Sequence, residues 1–196
     1  MLGLLALLVL VTTALAFTLG LHNPLTAVIE AVAIAACVLI GRFWGRAIDN
    51  MLIGSKGERQ VGSILDSLAQ EGWRAIHGGL TARGDIDHIA VGPGGLFTIE
   101  TKFRGGRFDV GHVPKRELSQ AYAEAREVER IAGHPAVPLL VLTHAFIEGR
   151  GVNMRDGVTV LPARMLRGLL TRRAQPAALG PEQIDAVYEL LASALA

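Results

Sequence analysis

Residues 85–102 read DIDHIAVGPGGLFTIETK and contain the clearest secondary-structure pattern of the chain. Two runs rich in β-forming residues, Asp85–Val91 and Leu96–Lys102, flank a Gly-Pro-Gly-Gly sequence at 92–95. Apolar runs on either side of a glycine- and proline-containing turn are typical of a β-hairpin. The turn consists either of Pro93-Gly94 alone or of all four residues. Both versions place Asp87 opposite Glu100, and Asp85 opposite Lys102.

Asp87 and Glu100 are expected to face each other across this hairpin, because side chains on paired positions share one face of a sheet. Two carboxylates about 5 Å apart repel each other, so a cation is expected between them. Lys102 is one candidate, and a hard divalent ion with oxygen ligands is the other. The simpler alternative is an edge hairpin that carries a solvated salt bridge.

Lys102 is one of only three lysines after residue 46, in a region where arginine is the prevailing basic residue. A lysine in this place indicates that a compact ammonium group is needed. Two carboxylates that hold Mg²⁺, beside an ammonium group that orients a water molecule, are the parts required for in-line attack on a phosphodiester.

The remaining pattern after residue 54 predicts helices and strands that build an α/β fold, a mixed sheet flanked by helices. A linker is expected at 49–54 and a glycine-rich loop at 78–84. Helices are predicted at 55–70, 114–132, 163–172 and 181–195, and strands at 73–77, 137–143 and 157–161, with 107–110 as a further strand candidate.

The motifs Asp-Ile-Asp-His, Gly-Pro-Gly-Gly and Ile-Glu-Thr-Lys, preceded by Gly57-Glu58-Arg59, resemble the NERD (nuclease-related domain) family. That family is grouped with the PD-(D/E)xK nucleases, whose shared core is a restriction-endonuclease-like mixed sheet flanked by helices. The resemblance covers roughly residues 54–143. It implies Mg²⁺-dependent (or Mn²⁺-dependent) hydrolysis of DNA or RNA.

Carried onto this chain, the resemblance assigns metal binding to Asp87 and Glu100, and catalytic roles to these two residues, Lys102 and Glu58. Asp85 is a second acid on the predicted face of Asp87, and the register with Glu100 favours Asp87 as the ligand. Glu58 has a second interpretation, because Ser55-Lys56-Gly57-Glu58 fits a capping box at a helix start. His88 is predicted to lie on the opposite strand face, where a structural role is preferred over metal ligation.

Three further residues are candidates for contact with nucleic acid. Arg104 and Arg107 follow the predicted catalytic strand and are suited to phosphate contacts, with solvated charge as the alternative. Gln120 matches a glutamine that several branches of the superfamily use near the site, although it lies off the apolar stripe of its predicted helix.

The first 46 residues differ in composition from the rest. The whole chain is 51% hydrophobic, and residues 1–41 contain a single charged residue, Glu30. Leu2–Leu21 is an uncharged run long enough to cross a bilayer as a helix. A second apolar run spans residues 25–40 and is extended by residues 41–46. The polar turn His22-Asn23-Pro24 separates the two runs. We therefore predict a transmembrane helical hairpin at 1–46, preferred over a cleaved signal peptide because no basic residue precedes the first run.

Arg42 and Arg46 directly follow the second apolar run, so the positive-inside rule places residues 47–196 in the cytoplasm. That second part carries 17 basic and 17 acidic residues, and thus gives no overall electrostatic argument for nucleic-acid binding. The composition excludes intrinsic disorder and coiled coil. The single cysteine, Cys37, excludes a disulfide framework and a thiolate zinc site.

The sequence therefore predicts a two-pass membrane protein, expected in the bacterial inner membrane, whose domain at 47–196 is a metal-dependent nuclease. Its expected partners are the lipid bilayer and DNA or RNA. The alternative is a catalytically idle NERD module that binds nucleic acid or protein at the membrane. The opposed carboxylates favour the nuclease, because a pure binding module has no need of them.

Overall fold

The computed structural model describes residues 24–81, 84–147, 151–172 and 178–195, together with Val11 and Ala14. The chain divides into two compact units, Met1–Leu52 and Ile53–Ala196. The predicted first membrane helix, Leu2–Leu21, falls outside the described residues except for these two positions. Among the described residues, no helix combines the length and the apolar character that crossing a bilayer requires. The predicted transmembrane hairpin is therefore not supported by the structure.

In chain order, the described part of the protein has one helix before three strands, a second helix before three more strands, and two helices at the end of the domain. The helices are α1 (Pro24–Asp66), α2 (Lys115–Ala132), α3 (Leu166–Leu170) and α4 (Pro181–Ala194). The strands are β1 (Arg74–Thr81), β2 (Gly84–Gly92), β3 (Gly95–Phe108), β4 (Ala136–Ile147), β5 (Asn153–Arg155) and β6 (Val158–Pro162). Short 3₁₀ turns lie at Ala69–Glu71, Val110–His112 and Ala163–Met165.

The six strands form one mixed sheet in the order β1-β2-β3-β4-β6-β5. Strands β1, β2 and β3 are antiparallel neighbours, as are β5 and β6, whereas β4 runs parallel to both β3 and β6. Helix α2 provides the connection that two parallel neighbours require between β3 and β4. This arrangement confirms the predicted α/β class with a mixed sheet flanked by helices.

Helices cover both faces of the sheet. On one face, Val61 and Leu65 of α1 pack in a core cluster with Ala90 and Phe97. On the other face, Val128 of α2 packs with β2 and β3, together with residues of α4. Leu96 and Phe97, which are adjacent in β3, thus belong to the clusters on opposite faces. This alternation is expected of a strand that is buried on both sides.

The β2–β3 hairpin has the two-residue turn Pro93-Gly94, because Gly92 pairs directly with Gly95. Its register is the predicted one from this turn to the last pair, His88 with Ile99. Gly92 lies against the ring of Trp73, where a Cβ atom would come within 2.2 Å of Cδ2. The turn thus depends on a residue without a side chain at position 92.

Several predicted boundaries were wrong for identifiable reasons. The expected linker at 49–54 is helical, and no helix begins at Ser55, so the capping-box interpretation of Glu58 is also wrong. No proline interrupts residues 25–66, and a single glycine such as Gly54 costs a helix only about 1 kcal/mol.

The glycine-rich loop expected at 78–84 belongs largely to β1, where Gly78 adopts a φ of 73° that suits glycine. Residues 107 and 108 end β3 and do not form a separate strand.

Candidate functional site

Asp87 lies one residue beyond the last paired position of β2 and β3. The predicted ladder pair between Asp87 and Glu100 is therefore not formed as such. The carboxylate of Asp87 instead accepts a hydrogen bond from the backbone N–H of Thr101, with 2.7 Å between N and Oδ2. Where the ladder ends, this side chain takes over the role of a strand carbonyl and holds Asp87 against β3.

Burial raises the pKa of Asp87 to about 7. The negative charge of Glu100 adds to this effect, and the hydrogen bond from Thr101 partly opposes it. Glu58 also raises the pKa, whereas Lys102 lowers it. Asp87 is thus surrounded by an excess of negative charge, which is the condition that a cation would relieve.

Glu100 is a buried carboxylate with only 2% of its surface exposed. Its Oε1 atom accepts hydrogen bonds from Lys102 Nζ and from Gln120 Nε2, the latter at 3.0 Å. Its Oε2 atom is buried and has no hydrogen-bond partner. A buried acceptor without a partner is costly, so this oxygen is available to a ligand that the site would bind.

Lys102 forms an ion pair with Glu100. Burial by itself lowers the pKa of this ammonium group. The hydrogen bond and charge of Glu100, together with the charges of Asp87 and Glu117, outweigh burial and raise the pKa of Lys102 above its usual value. Lys102 is therefore a fixed positive charge at neutral pH. The predicted pairing of Lys102 with Asp85 does not form, because the strands separate before these positions.

Gln120 lies inside this cluster, on helix α2. Its amide nitrogen donates to Glu100 Oε1 and, at 2.9 Å, to Glu124 Oε1. The prediction placed Gln120 among nucleic-acid contacts, whereas in the structure its amide N–H groups are directed at the two carboxylates. The residue lies off the main apolar stripe, as expected, and is still close enough to β3 for its side chain to reach Glu100.

Glu124 also belongs to this cluster, although the sequence patterns did not identify it as a site residue. It is only 5% exposed, and burial, reinforced by the charge of Glu100, raises its pKa to about 8. Its Oε2 atom is a second buried oxygen that receives no hydrogen bond, and a side-chain hydrogen bond with Glu100 also contributes to the raised pKa of Glu124. Its spacing offered a signal, because Glu124 is four residues after Gln120 and borders the buried positions Ala121 and Ala125.

Glu58 approaches the site from helix α1, and its charge acts on Asp87. An open cavity of about 670 Å³ lies on this side of the sheet and is lined by Glu58, Asp85 and Asp87, among others. Asp85 is exposed and pairs with Leu80 on the other neighbouring strand. The structure thus brings together Glu58, Asp87, Glu100 and Lys102, and adds Gln120 and Glu124.

The two arginines predicted to contact phosphate differ in their surroundings. Arg104 forms an ion pair with Glu117 of α2, and its guanidinium lies 5.8 Å from the ring centre of Phe108. Arg107 is exposed and pairs with Phe146 across β3 and β4. Arg104 is therefore held within the protein and is not directed outward toward a phosphate.

Asp87 and Glu100 suit a hard divalent cation, because each supplies carboxylate oxygens and Glu100 Oε2 lacks a partner. Within the described ranges, no group of three or more histidine, cysteine, aspartate or glutamate side chains is arranged to hold a metal ion. A site of this kind would complete its coordination with water or substrate oxygens, as is usual for Mg²⁺.

His88 is buried on the face toward α1, and its Nε2 atom donates to the backbone oxygen of Glu58 at 3.1 Å. Burial lowers the pKa of His88 to about 4, and the neighbouring His77 contributes to this decrease. His88 is therefore neutral at physiological pH. Its contacts tie β2 to helix α1.

A mixed sheet that carries an Asp and a Glu-x-Lys motif on two adjacent strands, flanked by helices, is consistent with the class of nuclease-like α/β domains. The comparison with protein families agrees with this class: residues 53–143 match the model of NERD, the nuclease-related domain. This match lies at the position where the sequence motifs indicated a resemblance to the family. No curated protein and no solved structure matches the chain.

Proposed function

We propose that the domain beginning at residue 53 is a metal-dependent nuclease that hydrolyses phosphodiester bonds of DNA or RNA. The observation that carries this proposal is the buried carboxylate of Glu100, which Lys102 and Gln120 hold while one of its oxygens is left without a partner. An uncompensated buried acceptor in a cluster of acids destabilises a fold, so a functional role explains why the cluster exists.

Asp87 and Glu100 would hold Mg²⁺ or Mn²⁺ through their carboxylate oxygens. Such an ion polarises a phosphoryl oxygen and makes bound water a better nucleophile. Lys102 supplies a fixed ammonium group that orients water and offsets negative charge at the reacting phosphate. Gln120 keeps Glu100 in position, and Glu58 acts on Asp87 from the side of α1. Contacts and charges within the chain support these roles.

The proposal is tested by incubating the purified full-length protein with plasmid, linear duplex and single-stranded DNA or RNA, with Mg²⁺, Mn²⁺ or EDTA. We expect cleavage that requires the metal and is lost in Glu100→Gln. Glu182→Gln is the matched control, because Glu182 lies in the first turn of α4, away from the cluster. Cleavage that persists in Glu100→Gln would contradict the proposal.

The second candidate is a NERD module that binds nucleic acid or protein without cleaving it. This function requires no metal, and the hydrogen bond between the carboxyl groups of Glu124 and Glu100 would then hold the two acids together. Gel-shift binding of the same substrates by a protein that never cleaves them, with or without metal, would favour this candidate.

We further propose that the chain is attached to a membrane with residues 47–196 in the cytoplasm, in the bacterial inner membrane. This proposal is supported by the hydropathy of the first 40 residues and by the basic residues Arg42 and Arg46. Several apolar side chains of α1, including Val32, Leu39 and Phe43, are also exposed. A reporter that functions only outside the cytoplasm, fused after Ala196, should be inactive.

A further inference from the structure

Two histidines face each other near the carboxylate cluster, on the face of the sheet toward α1. His77 of β1 and His88 of β2 are direct cross-strand partners. Their Nδ1 atoms are 2.9 Å apart, and their rings are nearly perpendicular, at 81°. This pair takes no part in the proposed phosphodiester hydrolysis.

The other nitrogen of each ring has a partner that can only accept a hydrogen bond. His88 Nε2 lies 3.1 Å from the backbone oxygen of Glu58, and His77 Nε2 lies 3.0 Å from Oδ1 of Asp66. Both Nε2 atoms therefore carry hydrogen. In the neutral rings, both Nδ1 atoms then present lone pairs, and these are directed at each other. A cation shared between the two nitrogens removes this conflict.

This pattern is the one that metal-binding histidines show. A ligating histidine almost always donates its second ring N–H to a carboxylate or a backbone carbonyl, which orients the ring. His77 and His88 have one partner of each kind. Two imidazole nitrogens on a tetrahedral metal with bonds of about 2.0–2.1 Å are roughly 3.3 Å apart. The observed pair would therefore open by a few tenths of an ångström, and both rings would turn until their Nδ1 lone pairs converge on the ion.

The surroundings favour a cation. Among the residues that the structure describes, the cavity beside the two rings is lined by four carboxylates, Glu58, Asp66, Asp85 and Asp87, and by one guanidinium, Arg59. Gly62 of α1 lies over the rings, and a Cβ atom there would be 3.6 Å from atoms of both. The absence of a side chain at this position leaves room next to the Nδ1 atoms. The opening of the cavity admits water as the remaining ligands.

We propose that His77 and His88 form a binding site for a borderline-soft divalent transition metal, such as Zn²⁺, ligated through the two Nδ1 atoms. Imidazole nitrogen suits Zn²⁺, Cu²⁺ and Ni²⁺, whereas Mg²⁺ selects carboxylate oxygen and water. The histidine site is thus chemically separate from the carboxylates of Asp87 and Glu100. Asp66 is its positioning residue, since it holds the His77 ring through Nε2.

The experiment is a titration of the full-length protein with Zn²⁺, followed by calorimetry, and with Co²⁺, followed by visible absorption, both in excess Mg²⁺. We expect one Zn²⁺ per chain and a Co²⁺ spectrum with nitrogen ligation. His77→Gln should weaken binding at least tenfold, and Asp66→Asn should weaken it roughly 10- to 100-fold, as for other outer partners of metal ligands. Both residues are at the surface, so these variants are expected to fold.

Two controls separate this site from others. His112→Gln changes an exposed histidine outside the pair and should bind Zn²⁺ as the wild type does. Asp87→Asn should also retain Zn²⁺ binding, even if it abolishes cleavage, so the two proposals fail independently. The inference is overturned if the wild type binds no Zn²⁺, which would leave a shared proton as the occupant. Equal loss of Zn²⁺ binding in Asp87→Asn, or none in His77→Gln, would also overturn it.

Discussion

The backbone N–H of Thr101 and the carboxylate of Asp87, fourteen positions apart in the chain, are joined by a 2.7 Å hydrogen bond at the point where β2 and β3 separate. This bond holds an acid with a raised pKa beside the motif Ile-Glu-Thr-Lys. The carboxylate of Asp87 therefore has two roles: it continues the hydrogen bonding between β2 and β3 beyond the last strand pair, and it contributes negative charge to the site.

The raised pKa of Asp87 gives the metal-free protein a defined pH dependence. An acid whose pKa is higher in the folded state than in the unfolded state keeps its proton longer when folded. The free energy of unfolding should therefore fall as the pH rises from about 4 to about 7. In Asp87→Asn, which retains an oxygen for the Thr101 N–H, this part of the decrease should disappear.

Urea unfolding in EDTA at pH 4 and pH 8 measures this difference. Asp87→Asn should match the wild type at pH 4 and exceed it at pH 8, by roughly 1 to 3 kcal/mol. Asp185→Asn is the control, because this side chain is 69% exposed and its contact with Arg74 lies at the surface. Equal stability of wild type and Asp87→Asn at pH 8 would contradict the prediction.

Lys102 and Glu100 should differ in their effects on stability although both are needed for cleavage. Glu100→Gln removes a charge from a cluster of acids and should leave melting unchanged or raise it slightly at pH 8. Lys102→Met leaves Glu100 buried without its cation and should lower stability by about 3 kcal/mol. Thermal melts with and without Mg²⁺ measure both effects.

Metal binding provides the second part of this test. Lys102→Met should keep the Mg²⁺-induced rise in melting temperature, because both carboxylate ligands remain, whereas Glu100→Gln should lose it. If both variants melt lower and show the same Mg²⁺-induced shift as the wild type, the pair is only a structural salt bridge. The nuclease proposal would then be wrong.

Gln120 should control the position of Glu100. Gln120→Leu removes the amide that bridges Glu100 and Glu124, so cleavage should fall at least tenfold and the Mg²⁺ concentration for half-maximal cleavage should rise. A purely structural role would lower the melting temperature without changing the Mg²⁺ dependence. Gln70→Leu, in the exposed 3₁₀ turn Ala69–Glu71, is the matched control.

Arg104 is expected to contribute to stability through Glu117. The side chain of Glu117 is only 18% exposed, and its Oε2 atom is buried without a partner. Arg104→Ala should therefore cost about 1 to 3 kcal/mol, and less in a Glu117→Ala background. A double-mutant cycle in urea gives the coupling energy. If the effects of the two substitutions are additive, Arg104 and Glu117 are not coupled, and this prediction is wrong. Arg104 would then again be a candidate for phosphate contact.

The hairpin and its register were predictable because they depend on local rules. A period of two along each strand and a two-residue turn at Pro93-Gly94 leave one pairing that buries the apolar residues. The predicted strand pairing was wrong only beyond His88, where β2 and β3 separate. There the side chain of Asp87 accepts the hydrogen bond from the Thr101 N–H, and the alternation of side chains along a strand does not predict such a side-chain contact.

Other features depend on contacts between distant segments. Glu124 was missed because its burial is set by Glu100 and Gln120, and an acid in a helix is ordinarily solvated. The pairing of His77 with His88 was missed because β1 was predicted to end at residue 77, with a loop to follow. Helix α1 was divided at 49–54 because composition changes there, although composition alone does not end a helix.

The contact of Trp73 with Gly92 supplies an internal optical probe. Trp73 is buried between the hairpin turn and Phe97, and the chain has one other tryptophan, Trp44. In a Trp44→Phe background, the emission of a single indole would report whether the turn that aligns Asp87 with β3 is closed. Fluorescence quenching by acrylamide could then follow the hairpin during metal or substrate binding without any attached dye.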